Sequence, residues 1–165
     1  MTLDLKRVFA NVGEKVDIDY ALDMSNFELY GNYPLNVPVS VKGSVQNRAT
    51  VVSLYLEIFY EFNAPCDRCG TDTVHKHTVT VDKLLATALE RQESDTIIEV
   101  PGMKLDVDEL VYTEVVLSLP TKHLCNDSCK GICSKCGKNL NEGECSCETK
   151  EIDPRLSALA ELLKN

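Results

Sequence analysis

The residues best suited to chemistry are eight cysteines, spaced Cys66-x2-Cys69, Cys125-x3-Cys129-x3-Cys133-x2-Cys136 and Cys145-x-Cys147. Eight thiolates make two tetrahedral all-sulfur zinc sites, and closed four-ligand sites leave no coordination position for a substrate. CDRCG (66–70) and CSKCG (133–137) have the form of zinc knuckles. Two thiolates three apart grip one ion from a tight turn, and the glycine that follows permits a positive φ. Pairing ligands locally puts Cys133, Cys136, Cys145 and Cys147 in one site. Cys125 and Cys129 are left to complete a second site with Cys66 and Cys69, which would cross-link segments distant in sequence. One zinc with four spare thiols is the alternative stoichiometry. Disulfides would require an oxidising compartment. A thioredoxin-like redox pair would need Cys66 and Cys69 to meet a helix N-terminus, whereas CDRCG lies between two strand-like runs.

Other side chains near the cysteines are candidates of a weaker kind. Arg68, Lys130, Lys135 and Lys138 sit within or beside the knuckles, where cations favour thiolates and offset an anionic metal–sulfur centre. Lys122, Lys130, Lys135 and Lys138, set against Asp127, also form a basic patch able to contact RNA. His75 and His77 alternate along a strand and share a face; His123 lies two residues before Cys125 as a substitute ligand. Asp106, Asp108 and Glu109 fit the positive end of a helix dipole better than a catalytic dyad. No P-loop, G-x-S-x-G, H-E-x-x-H or G-x-G-x-x-G occurs, and no enzymatic activity is expected.

These residues must be positioned by the rest of a 165-residue chain that is 44% hydrophobic and 26% charged, enough for one ordinary domain with a core. From Phe27 to Asp82 the pattern has period two. Val39, Val41 and Val45 alternate with polar residues, and Val52, Leu54, Leu56, Ile58, Tyr60 and Phe62 share one parity. Thr73–Val81 is β-branched and predicts a further strand. Leu84–Ser94 has helical composition, Ile97–Val100 reads as a short strand, and Asp106 caps a helix that runs to about Leu119 before Pro120. A last helix follows the Asp153-Pro154 start signal, its face formed by Leu156, Leu159, Ala160 and Leu163. The expected fold is α+β: an antiparallel sheet or partial barrel with a few helices and a C-terminal cysteine-rich zinc-binding segment. Residues 1–120 form an acidic β-rich body, 121–149 the cysteine-rich segment, and 150–165 a helix packed on the body. The 121–149 segment has no periodic apolar face, so it is predicted to be disordered without metal.

Charge separates these regions. Net charge is −9; residues 1–120 hold 19 acidic and 10 basic side chains, residues 121–165 seven of each. An acidic body repels polyphosphate and favours basic partners. No apolar run approaches a membrane span, and MTLDLKRVFANVG lacks an apolar signal core. A soluble cytoplasmic protein, away from any membrane, is expected.

Taken together, CDRCG at 66–70, Asp106-Val107-Asp108-Glu109-Leu110, Leu117-Ser118-Leu119-Pro120, CNDSCKGICSKCGKNLN at 125–141, CSC at 145–147 and DPRLSALAELL at 153–163 resemble the YceD family. That family is also named large ribosomal RNA subunit accumulation protein. The resemblance implies a bacterial or plastid, non-enzymatic ribosome-biogenesis factor that supports accumulation or processing of large-subunit ribosomal RNA. With the charge split, it points to a basic large-subunit ribosomal protein or a pre-ribosomal particle as partner. A direct RNA-binding zinc module is the alternative.

Overall fold

A computed structural model describes residues 1–88 and 95–147. In chain order its elements are β1 (Thr2–Asp4), α1 (Lys6–Ala10), β2 (Lys15–Leu22), β3 (Val39–Arg48), β4 (Val51–Pro65), β5 (Asp72–Ala86), β6 (Ile97–Glu99), β7 (Lys104–Asp106) and α2 (Val107–Ser118). They belong to two units, one of Met1–Ala64 with Thr73–Thr121, the other of Pro65–Asp72 with the residues from Lys122 on.

The first unit is organised by β4. Its even positions Val52 to Phe62 are all buried, as the period-two pattern requires, while Val51, Tyr55 and Phe59 on the other face remain exposed. β3 lies antiparallel to β4, with Val41 opposite Ile58 and Val45 opposite Leu54, and β2 lies antiparallel to β3. Gly43 falls on the buried parity because the strands press together there. A Cβ at this position would sit 2.0 Å from the Tyr55 carbonyl oxygen. Residues Ala49 and Thr50 join β3 to β4 with φ of 51° and 70°, the doubly left-handed geometry that matches sheet twist in a two-residue turn.

The strand order is β2-β3-β4-β5-β6, an open sheet. It is not wholly antiparallel: β6 runs parallel to β5, pairing Leu84 with Ile97 and Ala86 with Glu99. This corrects the helical expectation for Leu84–Ser94. Leu84, Leu85 and Ala86 are helix formers by propensity, but pairing with β6 and burial of Leu85 hold them extended; residues 89–94 lie outside the described residues. The expected 150–165 helix also lies outside them.

Four elements of the first unit were not expected from the sequence: the paired β1 and β7, the short α1, and β2. The five-residue α1 lacks a side-chain cap and is held by tertiary contacts. Leu5 and Val8 are fully buried, and the buried Asn47 amide donates to the Val8 carbonyl at 2.7 Å. α2 forms as the cap signal predicts. The Asp106 carboxylate accepts from the Asp108 and Glu109 amides at 3.0 and 3.3 Å, and Val107, Val111 and Val115 are buried one turn apart.

The second unit has a different interior. Its buried cluster is Cys66, Cys69 and Cys129, with Leu124 and Cys125 packed against them. An interior made mostly of sulfur has little apolar area to remove from water.

Candidate metal centres

Two turns in the second unit share one backbone design. In the first, the Cys66 amide donates to the Thr71 carbonyl at 2.9 Å and the Gly70 amide to the Cys66 carbonyl at 2.8 Å. In the second, Cys133 donates to Lys138 at 2.9 Å and Gly137 to Cys133 at 2.8 Å. Gly70 and Gly137 have φ of 72° and 73°, the left-handed conformation that closes each turn. Both knuckles are therefore the same object, once in the loop joining β4 to β5 and once in the cysteine-rich segment.

The structure groups the eight cysteines as their spacing implies: Cys66, Cys69, Cys125 and Cys129 in one cluster, Cys133, Cys136, Cys145 and Cys147 in the other. Within each cluster the four sulfurs lie within 4.8 Å of one another. Cys66 and Cys129 sulfurs are 3.8 Å apart, and those of Cys69 and Cys125 3.6 Å. A tetrahedral zinc–thiolate centre with bonds near 2.3 Å has edges of about 3.8 Å. All eight residues are free thiols. The donor set and spacing fit a thiophilic tetrahedral ion at each cluster.

The first cluster is assembled from remote segments by specific bonds. The Asp67 amide donates to the His123 carbonyl at 2.8 Å, and the Asp67 carboxylate accepts from the His123 amide at 2.7 Å. The Arg68 guanidinium donates to the Cys129 carbonyl at 2.9 Å. Gly131, with φ of 77°, lies 3.2 Å from the Arg68 carbonyl by its would-be Cβ, so any side chain there would crowd the knuckle. The Asn141 side-chain amide donates to the Cys129 sulfur at 3.3 Å while its carbonyl accepts from the Lys130 amide at 2.8 Å.

The same geometry sets the acidities. Burial raises the Cys66 thiol, but N–H groups of Cys125, Arg68 and Cys69 outweigh it and bring the pKa down to about 6. Cys133 falls to about 6 through the amides of Cys136 and Lys135. The Asn141 amide lowers Cys129 against the opposing effect of burial. Cys125 is pushed up to about 12, first by the Cys129 sulfur and then by burial, and Cys147 to about 12 by the Cys136 sulfur and burial. Without a cation, four sulfurs this close cannot all be anionic; a metal removes that conflict.

Several expectations need correction. The largest groups favouring thiolates are knuckle amides and Asn141, not the neighbouring cations. Arg68 instead serves as a clip on Cys129, and the Lys138 ammonium donates to the Glu144 carbonyl at 2.8 Å. The three histidines belong to neither cluster among the described residues. His77 stacks on Tyr60 with ring centroids 5.1 Å apart, and His123 is buried with its backbone in the Asp67 clamp. As the sequence pattern implied, Cys66 and Cys69 occupy a strand-to-strand loop, not the helix N-terminus that a thioredoxin-like pair needs. Asn141 closes the 125–141 motif that carries the family resemblance, but its role was not legible there, because it depends on a side-chain bond to the Cys129 sulfur.

The family described as "Large ribosomal RNA subunit accumulation protein YceD" matches residues 54–163. The chain is 28% identical to the uncharacterized protein YlbN of Bacillus subtilis over 129 residues, covering 77% of this chain and 75% of that protein. It is 34% identical over 59 residues to the chloroplastic large ribosomal RNA subunit accumulation protein YCED homolog 1 of Arabidopsis thaliana, covering 36% of this chain and 18% of the plant protein. It is also 29% identical over 102 residues to the uncharacterized protein Rv2926c of Mycobacterium tuberculosis, 59% of this chain and 49% of that one. No solved structure matches. No helix among the described residues is long and apolar enough to cross a membrane. The matched span takes in both cysteine clusters, β5 and α2, and on that match the chain belongs to the YceD family of large ribosomal RNA subunit accumulation proteins.

Proposed function

We propose that this protein is a non-enzymatic factor in large-ribosomal-subunit biogenesis, acting in the cytoplasm. It supports accumulation of large-subunit ribosomal RNA by binding a basic ribosomal protein or an assembly intermediate. The observation that carries the reading is the family match across residues 54–163. The absence of an open coordination position is the chemical reason for a non-enzymatic role: two zinc ions, each held by four thiolates, act as scaffold. Zinc suits the site because it accepts sulfur-only tetrahedral coordination without redox change. The acidic residues 1–120, net −9, supply the attraction for a basic partner.

The test is depletion of the protein in cells and measurement of mature large-subunit against small-subunit ribosomal RNA. The ratio should fall and should recover when the full chain is restored. An unchanged ratio removes this function.

A second reading, an RNA-binding zinc module, draws on Lys122, Lys130, Lys135 and Lys138, all of which are exposed. A salt titration of binding to large-subunit RNA fragments, with and without these four lysines, separates the two. RNA-binding slopes that drop when the lysines are removed favour the second reading; equal slopes favour the first.

A further inference from the structure

In the first unit, a groove of about 380 Å³ opens between the segment after β2 and the first turns of α2. Leu22, Met24, Phe27 and Tyr112 provide apolar walls, and Asp23, Asp108 and Glu109 provide carboxylates; among the described residues no lysine or arginine lines it. Phe27 and Tyr112 meet edge to face, with centroids 6.1 Å apart at 74°, and Tyr112 is 48% exposed. Asp108 is engaged by the Tyr20 hydroxyl at 2.8 Å and by the Met1 ammonium. Asp23 and Glu109 have no ion-pair partner among the described residues.

The helix dipole of α2 accounts for acids in its first turn. It does not account for Asp23, which comes from a segment distant in sequence, or for the aromatic wall. Some acids elsewhere on this unit carry their own cations: Asp17 with Lys15 at 2.5 Å, Asp19 with Lys42 at 3.9 Å, Glu61 with Lys76 at 3.3 Å. The groove is where apolar surface and uncompensated negative charge coincide.

We propose that this groove is the docking point for an arginine or lysine side chain presented by a protein partner. The aliphatic stem lies along Leu22, Met24 and Phe27. The cationic head faces the Tyr112 ring and the carboxylates of Asp23 and Glu109. Charge complementarity selects this occupant: an acidic or phosphate-bearing ligand would meet the carboxylates of Asp23 and Glu109, which have no ion-pair partner among the described residues, and no lining lysine or arginine. The inference rests on the proposed reading that the partner is a basic protein, and it names the surface that partner uses.

The test uses the full metal-loaded chain and a short arginine-glycine peptide carrying one Trp. The protein has no Trp, so indole emission reports the peptide alone. Two isosteric double variants, Asp23→Asn/Glu109→Gln and Asp17→Asn/Asp19→Asn, change the net charge equally. The first should weaken binding up to about tenfold, two exposed charge contacts being lost, and the second less than about twofold, because its acids are already paired. Tyr112→Ala should weaken binding roughly two- to fivefold, with Tyr112→Phe near wild type. The Asp23→Asn change keeps a side-chain acceptor for the Ser25 amide, from which Asp23 accepts at 2.9 Å, so the local turn is retained. Equal weakening by the two double variants, no weakening by the groove variant, or wild-type binding no stronger than to an acidic control peptide would each overturn the proposal. Peptide binding and the ribosomal RNA ratio fail separately. A flat peptide result rejects the groove whatever depletion does, and an unchanged ratio rejects the biogenesis role whatever the peptide does.

Discussion

Metal removal should unfold the second unit and leave the first intact. The interior of the second unit is Cys66, Cys69 and Cys129 with Leu124 and Cys125 against them, so little besides coordination opposes its chain entropy. The first unit has its own apolar core, including the buried Val41, Leu54, Leu56 and Ile58. Structural zinc in sulfur sites contributes about 10–16 kcal/mol of apparent binding free energy, which corresponds to dissociation constants of about 10⁻⁷ to 10⁻¹² M. The sulfur separations of 3.6 and 3.8 Å already match a tetrahedral edge, so the first site can close on an ion with little rearrangement. The purified protein should therefore carry two zinc ions per chain and resist weak chelators. After stripping by a strong chelator under reducing conditions, hydrogen exchange should show the amides of Cys66, Gly70, Cys133 and Gly137 losing protection. Amides of the β3–β4 ladder should keep theirs. Protected knuckle amides in metal-free protein would refute the reasoning, as would simultaneous loss of both units.

Three further outcomes follow from individual contacts. Asn141→Ala removes the amide donated to the Cys129 sulfur and should lower zinc affinity at that cluster about 10–100-fold, read by competition with a metal indicator. Acidification should release metal. Cys125 and Cys147 carry protons up to about pH 12, so each site must displace at least one proton, and affinity should fall at least about tenfold per pH unit on going down from neutrality. Below about pH 6, Cys66 and Cys133 protonate as well and the slope should steepen. Gly43→Ala forces a Cβ onto the Tyr55 carbonyl and should destabilise the first unit by more than about 3 kcal/mol, measured by denaturant unfolding of the metal-loaded protein.

The legible parts of this molecule are those where a local pattern and the final environment agree. β4 could be read because six alternate apolar residues face one core, and α2 because Asp106 caps it in isolation as it does in the fold. The grouping of the eight cysteines was legible for a related reason: ligand spacing restricts which sulfurs can share an ion. Legibility ended where distant partners decide. Leu84–Ala86 has helical composition, yet β6 draws it into the sheet. α1 depends on Asn47 and on the bond from the Leu5 amide to the Met103 carbonyl, neither of which leaves a periodic trace. β2 did carry alternation, with Val16, Ile18 and Tyr20 against Asp17 and Asp19, but it precedes the run on which the sheet was recognised. Asn141, Asp67 and the Arg68 clip act through one or two bonds each across more than ten residues, beyond the reach of motif spacing.

The two knuckles are alike in shape but unlike in the length of chain they close. Cys133 and Cys147 bound a stretch of 15 residues, whereas Cys66 and Cys129 bound 64. In a chain that has not yet folded, ring closure for the longer stretch is about 1.3 kcal/mol more costly, or about ninefold in equilibrium. When the complete chain refolds under limiting zinc, the short ring would capture the first ion, and the long ring would wait for the β4–β5 loop to come within reach. The protein thereby acquires a built-in loading sequence, in which a half-filled molecule has its tail ordered before that tail is tied to the loop.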